Sequence, residues 1–256
     1  MKRLFFFFFI IPALSALFLS CGIDEYAFIY PVLQGDVDTT ALPTATVSIN
    51  NDNSGTVFTN FIILYRIYIS DVSVANPQTG DFSLINPALN SHYASISGYI
   101  DNDTLFSAGL LQSLFINKGY KYLCFEGSEM ENILTSAVLA RTLFFDFTYS
   151  NRPATMAVMN GNVNLGTYTL LRSDELDQPR PEDTLNFVNS AELLNPDYAI
   201  PEINADVEKN SKTSKGPDLY SYAAMFILAV GIETTGYTMI YSTPTFIHAF
   251  PLPERY

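Results

Sequence analysis

Cys21 and Cys124 are the only thiols in the chain and His92 and His248 its only imidazoles, so thiol chemistry, imidazole acid–base work and transition-metal ligation must be built from these four and 26 carboxylates. Two histidines cannot form a three-histidine zinc site, and no His-Glu-x-x-His pair occurs. A site joining both histidines to Cys124 would have to gather three unrelated segments, so solvated or packed imidazoles are the simpler expectation. The nucleophile elbow Gly-x-Ser-x-Gly and both glycine-rich phosphate loops are absent. Neither histidine has a spacing that marks it as the base of a serine triad. With 26 acids a carboxylate pair for glycoside cleavage can always be drawn, so drawing one decides nothing. For calcium, Asn50-x-Asp52-x-Ser54-Gly55 imitates the start of an EF-hand loop, but its twelfth position is Phe61, where a bidentate Glu is required. Asp36-x-Asp38 and Asp101-x-Asp103 lack the glycine, and acidic turns of this kind are ordinarily just solvated. The expectation is no metal, no cofactor and no catalytic set.

Cys21 stands apart because of what precedes it. Lys2 and Arg3 open the chain, the 16 residues from 4 to 19 are apolar with five consecutive phenylalanines, and Ser20, Cys21 and Gly22 follow. Charged, apolar, then small is the order of an export signal. As a helix the apolar run would cover about 24 Å of a hydrocarbon core about 30 Å thick, and Pro12 interrupts it, so it reads as a leader rather than a permanent span. Cleavage is expected between Ser20 and Cys21. It would remove two basic residues and leave 11 Lys and Arg against 26 Asp and Glu, a formal charge of −15. Such a surface repels nucleic acid and anionic headgroups, which excludes nucleic acid as a partner.

The box Phe18-Leu19-Ser20-Cys21 resembles the looser version found in spirochaete-type bacterial lipoproteins of unknown function. Phe18 and Leu19 depart from the strict form. The resemblance implies that Cys21 receives a diacylglycerol, becomes the mature N-terminus, carries palmitate-type acyl chains and holds the protein on a membrane of the cell envelope. Gly22, where an Asp would favour inner-membrane retention, leans towards the outer membrane; the periplasmic or surface face is left open. With Cys21 lipidated, Cys124 has no partner for an internal disulfide. It falls in Gly119 to Phe125, which reads as a strand, where it is expected to be a small buried hydrophobe.

Residues 21–44 read as a tether and 45–256 as the domain. Period-two alternation over Val47 and Ile49, the turn at 51–55 and an Ile/Tyr/Phe-rich run from Phe61 to Ser70 predict strands, the last apolar on both faces and therefore central. Helices are predicted after Asn86-Pro87, from the cap Asp103 to Gly119, and after the capping box Ser128-x-x-Glu131. Strands are predicted again over 143–149, 155–159 and 162–171, the last two joined at Asn160-Gly161. The acidic, proline-containing stretch 173–218 is too long for a bare loop and is expected to be partly packed or partly mobile. Strands over 220–230 and 237–250 close the chain.

Tyr222 to Gly231 and Tyr241-Ser242-Thr243-Pro244-Thr245-Phe246 resemble the final hairpin of fibronectin type III-like modules, with Tyr65-Arg66-Ile67-Tyr68 in the third strand and Val47-Ser48-Ile49 in the second. The usual tryptophan is missing. The resemblance implies a mainly β (α+β) fold, a fibronectin type III/immunoglobulin-like β-sandwich with a large, partly helical insertion at about 71–218. Function is then expected to be non-enzymatic: binding or structural, with an unknown protein or small-molecule ligand taken by the insertion, since loops on a rigid scaffold carry recognition. The alternatives are an envelope hydrolase with a carboxylate site, hinted at by the acidic stretch, and a solute-binding lipoprotein with an aromatic pocket lined from the 16 Tyr and 20 Phe.

Overall fold

The structure is a computed structural model, which describes residues 28–49, 53, 58–74, 77, 82–100, 106–125, 141–148, 153–175, 178–184, 206–208, 220–233 and 236–252, with the backbone path alone for 173–175 and 178–184. Among these residues the fold is mainly β, in two largely antiparallel sheets. The first sheet runs in the order β1 (Val37–Asp38), β2 (Thr44–Ser48), β6 (Thr142–Asp146), β7 (Thr155–Asn160), β8 (Val163–Glu175) and β5 (Cys124–Phe125), with β9 (Gln178–Thr184) also on β8. The second is centred on β3 (Phe58–Ser70) and β11 (Tyr220–Ile232), antiparallel over their full lengths. β4 (Lys121–Tyr122) and the parallel β10 (Val207–Glu208) flank β3, while β12 (Met239–Tyr241) and β13 (Thr245–Pro251) follow one another along β11.

The second sheet is buried on both faces. Strand alternation sends Phe61, Ile63, Tyr65 and Ile67 of β3 towards the first sheet, where they meet Val47, Leu143, Phe145, Met156 and Leu170. The opposite set, Ile62, Leu64 and Tyr68 with Phe226 and Leu228, packs under a helical layer. That layer is α1 (Pro87–Ser97) and α2 (Ala108–Leu114), which contribute Leu89, Ile96 and Leu111, followed by Phe115. Three layers, sheet on sheet on helices, explain why β3 and β11 lack a polar face.

Local signals account for the helix starts. Asn86 caps α1: its Oδ1 accepts from the backbone N–H of Ala88 at 2.8 Å and of Leu89 at 3.4 Å, Pro87 takes the first helical position, and its Nδ2 donates to Ile69 O at 2.9 Å, fastening the helix to β3. The second helix starts later than its sequence suggests. Ser107 caps it, its Oγ accepting from Leu110 N–H at 3.2 Å, and a 3-10 turn ends at Gly119 with φ 78°. Asp103 and the helix predicted after Ser128 lie outside the described residues. In the β7–β8 hairpin Asn160 pairs with Val163, so the two central residues are Gly161 and Asn162. Gly161, with φ 57°, takes the position that requires it, one residue beyond the arrangement an Asn-Gly turn would give.

Two expectations change. The tether does not extend to 44: Ile29 and Val32 are buried in the inter-sheet core, Val37 pairs with Val47, and Gln34 Nε2 donates to Phe246 O at 3.0 Å. An apolar run next to an open sheet edge packs onto it rather than standing off in water, so of the residues read as tether only 21–27 remain outside the described domain. The stretch 71–218 is also more than an insertion: the strands predicted within it form β5 to β8 and, with β9, make up most of the first sheet. The predicted strand 237–250 is interrupted after Tyr241, where Ser242 N–H bonds Ala229 O, and resumes at Thr245.

Candidate functional site

Two clusters of buried polar side chains meet one stretch of β3, Tyr65 to Tyr68, and alternation divides them between its faces. Towards the first sheet, Tyr65 donates its hydroxyl proton to Asp206 Oδ2 at 2.8 Å. The same carboxylate accepts Arg172 Nε at 2.9 Å on Oδ2 and Nη2 at 2.7 Å on Oδ1, a bidentate fork. Arg172 and Asp206 are each 2% exposed. Asp206 O also accepts Ile67 N–H at 2.8 Å, so this one residue joins β8 of the first sheet to β3 of the second. A charge pair so deeply buried is held only because every charged oxygen has a donor.

On the helical face, the Tyr68 hydroxyl lies 2.7 Å from His92 Nδ1 and donates to the Tyr120 hydroxyl at 3.0 Å. The Arg66 guanidinium sits 5.9 Å from the Tyr68 ring centroid and pairs with Glu208. Burial, then the Lys118 and Arg66 cations, lower the His92 pKa to about 4. Burial likewise raises both tyrosines, Tyr68 well above its ordinary value. At neutral pH the cluster therefore holds a neutral imidazole and two protonated phenols. A general base near neutrality needs a pKa near the working pH, which His92 lacks. The arrangement instead pins α1 to β3.

Sequence candidates are dispersed by the fold. Ser20 and Cys21 lie outside the described residues, as do Asn50, Asp52, Ser54, Gly55, Asp101 and Asp103. Cys124 is buried in β5, with Sγ 3.8 Å from Tyr122 O. His92 is on α1 in the helical layer, whereas His248 is on β13 opposite Met225, whose side chain belongs to the inter-sheet core. The His92, His248 and Cys124 trio is not assembled, and among the described residues no group of three His, Cys, Asp or Glu could hold a metal ion. Asp38 Oδ1 accepts Thr40 N–H at 2.9 Å, which lowers its pKa, and Phe61 is core. The acidic stretch is packed at Asp206. Nothing in the spacing of Arg172 and Asp206, 34 residues apart, signals their pairing; the one available clue is that Arg172 shares the inward face of its strand with buried Leu170.

Among the described residues two buried side chains, Thr243 and His248, leave every polar atom unpaired, and His248 is the titratable one. It is 2% exposed, lies between the rings of Phe246 and Phe250, and neither nitrogen has a hydrogen-bond partner. Burial lowers its pKa from 6.5 to about 4. Because the folded value is the lower one, the unfolded chain takes up the proton first as pH falls: stability from this group is complete above about 6.5 and is lost down to about 4. Urea titrations at both ends of that window should show His248→Phe sparing a loss on the order of 3 kcal/mol that the wild type suffers. Equal losses in the two proteins would exclude His248 as the source.

No protein-family model, curated protein or solved structure matches this chain.

Proposed function

We propose that the protein is an exported lipoprotein of the cell envelope, cut before Cys21, anchored through acyl chains on that cysteine, and engaged in a non-enzymatic binding or structural role at the outer membrane. The observation that carries this reading is the order Lys2-Arg3, apolar 4–19, Ser20-Cys21-Gly22. A diacylated cysteine supplies two chains, enough for stable attachment where a single myristoyl chain is only marginal. A fibronectin type III-like identity for the sandwich is supported by strand order: β3, β11 and β13 are successive neighbours in one sheet and β2 lies in the other, the order of the module's third, sixth, seventh and second strands. The helical layer and parallel β10 are additions to that plan.

The hydrolase alternative rested on the acidic stretch. There Asp206 is committed to Arg172 and Tyr65, which is a structural use of the carboxylate. Metabolic labelling with radioactive palmitate tests the anchor: label should enter the wild type and be absent from Cys21→Ser. Label persisting in the variant, or missing from the wild type, contradicts the reading.

A further inference from the structure

The end of the domain from which the N-terminal segment emerges also carries most of the exposed apolar side chains among the described residues, although Val72 and Leu84 lie at the other end. Strand directions establish this. β2 runs to Ser48, paired with Thr142 and through it with Met159, next to the β7–β8 tip. In the other sheet β11 ends at Ile232, paired with Met239, while β3 starts opposite at Phe58, which pairs with Gly231. Two cross-sheet contacts fix the relative polarity. At the far end the Phe147 ring stacks on Phe250 at 4.3 Å, where Ala223 pairs with Phe250 low on β11. At the near end Asn53, between β2 and β3, accepts from Tyr30 N–H at 2.8 Å and donates to Tyr30 O at 2.9 Å. Tyr30 therefore sits at the end of the domain that carries both hairpin tips.

Those tips are apolar. Val163 and Leu165 of β8 are 61% and 52% exposed, and Ile232, Tyr237 and Met239 around the β11–β12 loop are 40%, 85% and 55% exposed. Tyr237 also has φ 52°, the single positive value outside glycine among the described residues, a conformation costly for an aromatic residue and one that holds its ring out at the loop tip. Glu233, the acid of that loop, is half-buried and accepts Thr238 Oγ1 at 2.9 Å. Scattered apolar residues are ordinary on a surface, whereas two tips of this composition at one end of a sandwich call for a partner.

Chain length identifies the occupant. Only residues 22–27 separate Cys21 from Phe28, so even fully extended the connection spans no more than about 25 Å. From these observations, and resting on the lipid anchor at Cys21, we infer that the β7–β8 and β11–β12 tips seat the domain directly on the bilayer, with Tyr237 entering the headgroup region. Interfacial contacts of this kind reach roughly 5–10 Å into the headgroup and acyl boundary. The formal −15 charge of the chain after cleavage makes the attraction apolar rather than electrostatic, so neutral lipid suffices. Arg172, Asp206 and the C-terminal strand end then point away from the membrane.

Because the chain has no tryptophan, one indole introduced at a time reports its own position. Full-length lipidated protein carrying Tyr237→Trp, or Leu84→Trp at the opposite end near the Asn86 anchor to Ile69, is reconstituted in phosphatidylcholine vesicles containing brominated acyl chains. The indole at 237 should shift to the blue and be quenched, while the one at 84, 72% exposed in the native leucine, keeps the emission it has without bromine. Absent or equal quenching at the two sites overturns the inference, as does a blue shift at 237 without quenching, which would mark contact with a second copy of the chain. The mass of Cys21 is measured on the same sample. An unlipidated cysteine sinks the anchor and this inference together, whereas a lipidated one with an unquenched 237 indole sinks the inference alone.

Discussion

Asp206→Ala should lower stability by about 3–5 kcal/mol, the cost expected when one member of a buried ion pair is removed and the other is left charged. For a domain of this size that corresponds to a fall of roughly 6–20 °C in Tm. Arg172 is 2% exposed and gives its Nε and Nη2 protons to the two carboxylate oxygens, so removing the acid takes both acceptors, and the countercharge they carry, from a cation held between two sheets. Tyr65 loses its acceptor at the same time. The double variant Arg172→Met/Asp206→Leu should recover most of the loss, since apolar groups of similar volume replace buried charges at little cost and often with a gain. Thermal unfolding of the three proteins checks this. A single variant as stable as the wild type would mean that the pair is not buried as described.

Phe226→Ala should be as damaging, at about 3–5 kcal/mol, through a cavity rather than a charge. Its ring is fully buried at the centre of the helical-side core, with centroids 5.1 Å from Phe115, 5.7 Å from Tyr120 and 4.9 Å from Phe246. These neighbours come from the segment after α2 and from β13, so removing the ring loosens two elements from β11 at once. Phe58→Ala, at a half-buried strand end, is the control and should cost markedly less. Denaturant unfolding with an unchanged m-value would show that stability, not the denatured state, has moved. Equal costs for the two variants would argue against a packed helical layer.

How far the sequence could be read follows from where each signal acts. Short-range chemistry was legible: Asn86-Pro87 starts α1, Gly161 turns the β7–β8 hairpin, and the apolar faces of 61–70 foretold a strand covered on both sides. Partner choice across long separations was not. The pairing of Arg172 with Asp206, and the packing of Ile29 and Val32 into the inter-sheet core, depend on which sheet edge the chain meets, and alternation carries no information about that. The second helix starts late because Ser107 caps it, a competing signal within the same run. The orphaned His248 looked like any strand histidine, because burial without a partner is a property of the assembled layers. The exposed tips were illegible for the same reason: Val163 and Tyr237 are 74 residues apart in the chain and share an end only through strand register.

Anchoring depends on what becomes of position 21, and mass spectrometry of the protein from its native membrane reads that directly. An N-terminal peptide that begins at Cys21 and carries the added mass of a diacylglycerol is the predicted result. A peptide that retains residues 1–20, or a free thiol at Cys21, would contradict it.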